Sequence, residues 1–327
     1  MSAVPFLDVS GLAGDAAAKR DVAARIGSAC ESIGFLCITG HGVPADLIGR
    51  VRAAALAFFD LPEAEKRRIA VCPPSYRGYV PLATEGLARS LGRKDAAADL
   101  KEAFSIGAVD MPEDAYHTSL AARPHFVPNA WPSEPADFRP AFEAYYRVLS
   151  ELADRLLGGF ALALGVEENW FADKVDRHIS NLRALHYPAQ PDTVAPGQLR
   201  AGEHSDYGSL TILLTEPAAG GLEVRNRHAE WEAVPHEPAS FVVNIGDLMA
   251  QWTNDRFVST LHRVANPPRG ANTRRLSIAF FHQPNFDALI ERIPGCAGPG
   301  RLARHAPITS GEHRLMKVAK ANQAATA

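Results

Sequence analysis

The stretch "GEHSDYGSLTILL", residues 202–214, puts two metal-competent side chains, His204 and Asp206, at the head of an apolar run. Along a strand, residues two apart point to the same face. The spacing therefore predicts that the imidazole and the carboxylate look the same way, with Ser205 and Tyr207 turned to the other side. Such a pair reads either as a hydrogen-bonded surface contact or as two ligands of one metal. Its surroundings have one texture. From about Ile179 onward, "SNLRALHYP", "GSLTILLTE", "GLEVR", "EWEAVP", "SFVVNIGDLMAQWT", "FVSTLHRVANP" and "RRLSIAFFHQP" are short runs separated by Gly, Pro and Asn-Asp turns. Short strands at close spacing predict an antiparallel sandwich or barrel.

Upstream the period changes. "VPFLDVS" reads as a short strand, "AAAKRDVAARIGSACESIG" as an amphipathic helix, and "FLCITGHGV" as a buried strand closed by a Gly-rich turn. Helices follow in "PADLIGRVRAAALAFFDLP" and "EAEKRR", then a loop-rich middle, then a long helix from about Pro140 to Leu164 that stops at Gly165. The last residues, "KANQAATA", read as a frayed tail. The expected fold class is α+β with a mainly β core. The chain is expected to be one compact unit, 1–327, comprising a helix/strand region at 4–125, a β core at 179–285 and a C-terminal extension at 286–327.

Composition excludes several function classes. The 327 residues are 46% hydrophobic, which fits a globular chain, and the net charge of -3 with no long basic run gives nucleic acid no electrostatic footprint. No apolar stretch approaches the roughly 18 residues of a membrane span, and the N-terminus lacks the pattern of a secretory signal. Cys30, Cys37, Cys72 and Cys296 form no CxxC pair and read as reduced thiols filling a core. A cytoplasmic protein acting on a small molecule is expected, with no nucleic-acid or membrane partner; the oligomeric state is left open.

A third ligand is available in "TLHRVANP", where His262 lies 58 residues after His204 with Val258, Thr260 and Val264 on its face. A histidine in an apolar strand is commonly a satisfied core residue, but intervening strands can return this one to the same barrel mouth. Two imidazoles and one carboxylate make the facial triad of non-haem Fe(II) oxygenases, which leaves sites free for a bidentate cosubstrate and O2. The remaining positive charge favours an anionic cosubstrate. "RRLSIAFF" supplies a counter-charge: Arg275 and Ser277 share a strand face with Ala279 and Phe281. Arginine suits a buried carboxylate because its planar fork bonds bidentately. The alternative for Arg275 is an edge-strand charge, a role that suits Arg274 better. Tyr187 in "LHYP" offers a phenol toward the same anion, or a half-buried packing ring.

"HSD", "HRV" and "RLS" in this order resemble the Fe(II)- and 2-oxoglutarate-dependent dioxygenases of the isopenicillin N synthase-like family. The resemblance extends through "VPFLDVS", "GFLCITGHGV", "FFDLP", "YRGYVPL", "DLKEAFSIG", "LRALHYP", "GGLEVRN", "VVNIGDLMAQWTND" and "FFHQPNFDALI", covering roughly residues 4 to 315. It implies a double-stranded β-helix, a jelly roll, flanked by helices. It further implies that His204, Asp206 and His262 are the iron ligands, that Arg275 and Ser277 hold the far carboxylate of 2-oxoglutarate, and that Tyr187 is the phenol beside it. One departure is His186-Tyr187-Pro188, where many plant members have Asn-Tyr-Pro.

The implied activity is oxidation of a small-molecule C–H bond by hydroxylation, desaturation or cyclisation, using Fe(II), 2-oxoglutarate and O2 and releasing succinate and CO2. The alternatives are an oxidase of the same fold that uses no 2-oxoglutarate, a non-catalytic jelly-roll binding protein, and, on ligand chemistry alone, a zinc hydrolase. Other histidines receive ordinary readings. His41 packs in a tight loop, His228 and His236 flank a hairpin in solvent, and His117, His125, His305 and His313 lie in polar segments. His178, His186 and His282 are placed among strands that can turn them inward. Asp247 in "GDLM" reads as a turn residue or as a group that supports a ligand histidine. The substrate pocket is expected to draw on Tyr76 to Leu82, on "KEAFSIG" and on Phe281.

Overall fold

The computed structural model describes residues 4–71, 75–93, 95–189, 194–217, 219–268, 270, 271, 273–296 and 302–326. In chain order the elements are β1 (Phe6–Asp8), α1 (Ala16–Ser32), β2 (Phe35–Thr39), α2 (Ala45–Phe59), α3 (Glu63–Arg67), β3 (Gly78–Val80), β4 (Glu102–Ile106), α4 (Ala115–Thr118), α5 (Phe138–Leu164) and α6 (Ala172–Val175). The second half adds β5 (Asn181–Tyr187), β6 (Ala201–His204), β7 (Leu210–Leu214), β8 (Leu222–Arg225), β9 (Trp231–Ala233), β10 (Phe241–Ile245), α7 (Asp247–Trp252), β11 (His262–Val264), β12 (Arg275–His282) and, after a pair of two-residue strands (Leu289–Ile290 and Ile308–Thr309), α8 (Ser310–Thr326).

Alternation decides the layering. Along β12, Leu276, Ile278 and Phe280 face one side and join the main core, while Arg275, Ser277, Ala279 and Phe281 line a cavity on the other. β12 is central in an eight-stranded sheet of order β1-β2-β10-β7-β12-β5-β4-β3, so Arg275 is no edge charge. A four-stranded sheet, β6-β11-β8-β9, provides the second layer of the jelly roll. The first strands of the chain belong to the large sheet: β2 pairs antiparallel with β10, Phe35 opposite Asn244.

The helices cover the outer face of that sheet. α5 buries Phe138, Phe142, Tyr145, Leu149, Leu152, Leu156 and Phe160, spaced three and four apart, and ends at Gly165, whose φ of 76° is the left-handed C-terminal conformation. α1 begins at Asp15, whose carboxylate accepts from the Ala17 and Ala18 amides at 3.0 and 2.9 Å. Both pack into one core with Leu182, Ala184, Leu276 and Ile278.

Three expectations change. "SFVVNIGDLMAQWT" does not run on as a strand but breaks at Gly246 into α7. A Cβ at Gly246 would lie 2.1 Å from the Gly208 carbonyl oxygen, so only glycine permits this approach. The tail does not fray within the described residues, because α8 runs to Thr326. His125 and His313, read as belonging to polar segments, are buried, at 4% and 3% exposure. Cys30, Cys37 and Cys296 are buried free thiols as expected, whereas Cys72 lies outside the described residues.

Candidate active site

All six residues singled out in the sequence line one cavity of about 260 Å³ between the two sheets: His204, Asp206, His262, Arg275, Ser277 and Tyr187. His204 and His262 face each other directly across the β6/β11 pair, with ring centroids 4.2 Å apart. Asp206 arrives differently than alternation predicts, since β6 ends at His204 and Asp206 lies in the following loop. Backbone N–H groups opening α7 fix that loop: Asp247 donates to the Asp206 carbonyl at 2.7 Å and Leu248 to the Tyr207 carbonyl at 3.2 Å. The side chains converge all the same. Asp206 Oδ1 stands 4.0 Å from His204 Nε2 and 3.7 Å from His262 Nε2.

The donor set fits a metal ion. His204 Nδ1 is 2.8 Å from the Gly202 carbonyl and His262 Nδ1 is 3.1 Å from that of Thr260. A carbonyl can only accept, so each Nδ1 carries the proton and each Nε2 presents a lone pair. The Oδ2 of Asp206 is already occupied, accepting from Thr211 Oγ1 at 2.6 Å and Asn244 Nδ2 at 2.8 Å. Two lone pairs and an anionic oxygen thus aim at one another within 4.8 Å, an arrangement that repels unless a cation sits among them. Burial, reinforced by His262, pushes His204 down to about 4, which keeps it in the neutral, metal-binding form. Burial acts to raise Asp206, and the hydrogen bonds that Asn244 and Thr211 give its Oδ2 act the other way, favouring the ionised carboxylate.

At the other end of β12, Arg275 is 2% exposed. Its Nη1 donates to Ser277 Oγ at 3.2 Å, its Cζ lies 5.4 Å from the Tyr187 ring, and its Nε is buried with no hydrogen-bond partner among the described residues. Burial pulls it down from the ordinary arginine value, while Tyr187 and Glu216 act the other way. An arginine in this state remains a cation awaiting an anion. His186 points away from the cavity: its Nδ1 is 2.8 Å from Glu102 Oε1, and its ring stacks on Phe59. The departure from Asn-Tyr-Pro therefore does not touch the pocket.

Thr211 and Asn244, which hold Asp206, were missed by the sequence reading, although a lone asparagine in "FVVNI" was the available signal. Asp247 does not touch a ligand histidine. Its carboxylate accepts from Ser205 at 3.1 Å, Ser259 at 2.7 Å and Lys317 at 2.6 Å, tying α8 to the segments that carry His204, Asp206 and His262. The pocket wall holds Tyr76, Arg77, Lys101, Ser105 and Phe281 as expected, and also Asn181, Arg183 and Arg314.

Comparison with known proteins agrees with this chemistry. Residues 4–134 match the family described as "non-haem dioxygenase in morphine synthesis N-terminal", and residues 178–284 match the "2OG-Fe(II) oxygenase superfamily". The 2-oxoglutarate-Fe(II) type oxidoreductase hxnY of Emericella nidulans is 35% identical, over 94% of this chain and 87% of its own. A homoarginine-6-hydroxylase of Oryza sativa is 34% identical, over 97% and 96% respectively. A full-length Neurospora crassa protein, crystallised in complex with alpha-KG and thymine, superposes with a TM-score of 0.85 at 31% identity, over 97% of this chain and 96% of that one. The chain belongs to the 2OG-Fe(II) oxygenase superfamily, in its isopenicillin N synthase-like branch, and is an Fe(II)- and 2-oxoglutarate-dependent oxygenase of small molecules.

Proposed function

We propose that His204 Nε2, Asp206 Oδ1 and His262 Nε2 bind the Fe(II), and that Arg275, with Ser277 and Tyr187, holds the far carboxylate of 2-oxoglutarate. The observation that carries this reading is the convergence of three unprotonated donor atoms whose other polar atoms are all engaged. Bound iron supplies the oxygen chemistry that couples conversion of 2-oxoglutarate to succinate and CO2 with oxidation of a substrate C–H bond. The protein's part is placement. Thr211 and Asn244 keep Asp206 ionised and aimed, and the Gly202 and Thr260 carbonyls keep both imidazoles in the Nδ1–H tautomer. Leu185, Leu213 and Ala279 line the stretch between the triad and Arg275, so the cosubstrate lies on an apolar floor from which water is displaced.

The compartment we infer is the cytoplasm, because ferrous iron and the free thiols Cys30, Cys37 and Cys296 suit a reducing environment. We also treat residues 1–327 as one cooperative unit, since β1 to β4 complete the sheet that contains β5, β7, β10 and β12. Metal analysis of His204→Ala, Asp206→Ala and His262→Ala tests the site. Each variant is expected to fold and to lose iron and nearly all succinate formation, and full iron occupancy in all three would refute the assignment.

A further inference from the structure

The charges around the cavity are unequally compensated. Arg183 pairs with Glu85 at 2.6 Å, and Lys101 pairs with Asp99 and, at 3.7 Å, with Glu85. Arg77 and Arg314 have no such partner among the described residues. Among the described residues, no carboxylate lies within 4.0 Å of either guanidinium, and both bond neutral groups. Arg77 gives Nη1 to Asn181 Oδ1 at 2.6 Å and Nη2 to the His125 carbonyl at 3.4 Å. Arg314 gives Nη1 to the Pro124 carbonyl at 3.3 Å and to His125 Nδ1 at 3.1 Å, with the Tyr76 phenol nearby. Arg77 is 5% exposed, and a Cβ at Gly107 would sit 2.2 Å from its Nη2, so a glycine makes room for the guanidinium. The two cations feel each other. Burial first, and Arg314 second, bring Arg77 down to about 10, and both arginines help keep His125 neutral, at about 4. Arg77 is buried and Arg314 half-buried, so two like charges held together with no carboxylate beside them among the described residues are costly, and an anion placed between them lowers that cost.

We propose that the primary substrate is a small carboxylate, clamped by Arg77 and Arg314 and oxidised at a carbon remote from that carboxylate. This rests on the iron and 2-oxoglutarate assignments proposed above. The register fixes the separation: Asn244, Thr211, Phe281 and Asn181 form one row across β10, β7, β12 and β5. Thr211 holds Asp206 and Asn181 holds Arg77, two strands apart, about 10 Å at the usual strand spacing. Phe281 lies between them as an apolar platform for the body of the substrate. Arg275 itself lies six residues, or about 20 Å, back along β12 from Phe281, so the far carboxylate of the cosubstrate is held away from the clamp. A carboxylate suits the clamp better than a phosphate. Part of each guanidinium is already engaged, and one free guanidinium edge holds a planar carboxylate bidentately. The second arginine comes from α8, so the C-terminal helix contributes to specificity as well as to the wall.

The test uses the full chain loaded with Fe(II) and saturating 2-oxoglutarate under argon, with hexanoate, hexanamide and inorganic phosphate as probes. Thermal-shift titration is expected to show saturable hexanoate binding at least tenfold tighter than hexanamide or phosphate. Arg77→Gln and Arg314→Gln should each weaken hexanoate about tenfold while keeping the 2-oxoglutarate shift, which reports that both variants fold. Equal binding of acid and amide, or hexanoate binding unchanged in Arg77→Gln, would overturn the proposal. Preference for phosphate would overturn its carboxylate identity. Loss of the 2-oxoglutarate shift in the wild type would instead count against the cosubstrate site. The hexanoate response and its dependence on Arg77 are read either way.

Discussion

Replacing Arg275 by lysine keeps the charge and removes the planar fork. In the native protein Ser277 Oγ holds one edge of the guanidinium, and β12 fixes the group from the centre of the sheet. A lysine ammonium can approach a carboxylate only as a point donor, so one charge-assisted hydrogen bond of the bidentate pair is lost. In a site this buried, with Arg275 2% exposed, such a bond is worth about 1.5–3 kcal/mol. That corresponds to a rise of roughly ten- to a hundredfold in the 2-oxoglutarate KM. The contact is made equally before and during the reaction, so kcat at saturating 2-oxoglutarate should change little. Succinate release measured across 2-oxoglutarate concentrations, at saturating Fe(II), separates the two constants. Ser277→Ala should have a smaller effect, because the arginine contact survives. A KM within twofold of wild type for Arg275→Lys, or a fall in kcat alone, would refute the assignment of Arg275 to the cosubstrate.

Thr211→Val and Asn244→Leu each remove one donor to Asp206 Oδ2 and should weaken Fe(II) binding about tenfold, measured by anaerobic titration, with the Arg275 end unaffected. Acid should destabilise the fold through buried histidines. His178 is brought down to about 4 by burial, so the unfolded chain binds its proton first, and stability is lost as pH falls from about 6.5 to 4. His178 alone contributes up to roughly 3 kcal/mol to that loss, and His178→Phe should flatten the melting-temperature profile across the window. A fragment of residues 179–327 should aggregate, because Leu182, Ala184, Leu276 and Ile278 lose the helices that cover them. A monodisperse fragment with a sharp melting transition would show two separable units.

The core strands were legible because their alternation is local: "RLSIAFFH" sorts its own residues to two faces before any partner is known. The triad was legible in residue type and order, but not in its local geometry. Asp206 reaches the histidines through a loop pinned by α7, and the sequence reads the start of that helix, "GDLM", only as a turn after a core strand. His125, His313 and Arg314 look like surface residues in their own segments. His125 and His313 are buried where α8 packs, and Arg314 bonds His125 across about 190 residues, a contact that local pattern does not encode. Thr211 and Asn244 fall between these cases, since their polarity stood out but their partner did not.

The pairing of β2 with β10 sets a timetable for synthesis. Thr39 ends β2 and Phe241 begins β10, so about 200 residues must be added before β2 meets its neighbour on the β10 side. At about 5–20 residues per second, β2 waits roughly 10–40 s on the ribosome with only the three-residue β1 beside it and its other edge, which is to meet β10, open. The α1 and α2 helices also lack the sheet they are built to cover during that interval. A nascent chain stalled anywhere before β10 is therefore a ligand for holdase chaperones and a seed for edge-to-edge aggregation. Slowing translation after residue 245 relieves neither hazard, whereas speeding the stretch before it relieves both.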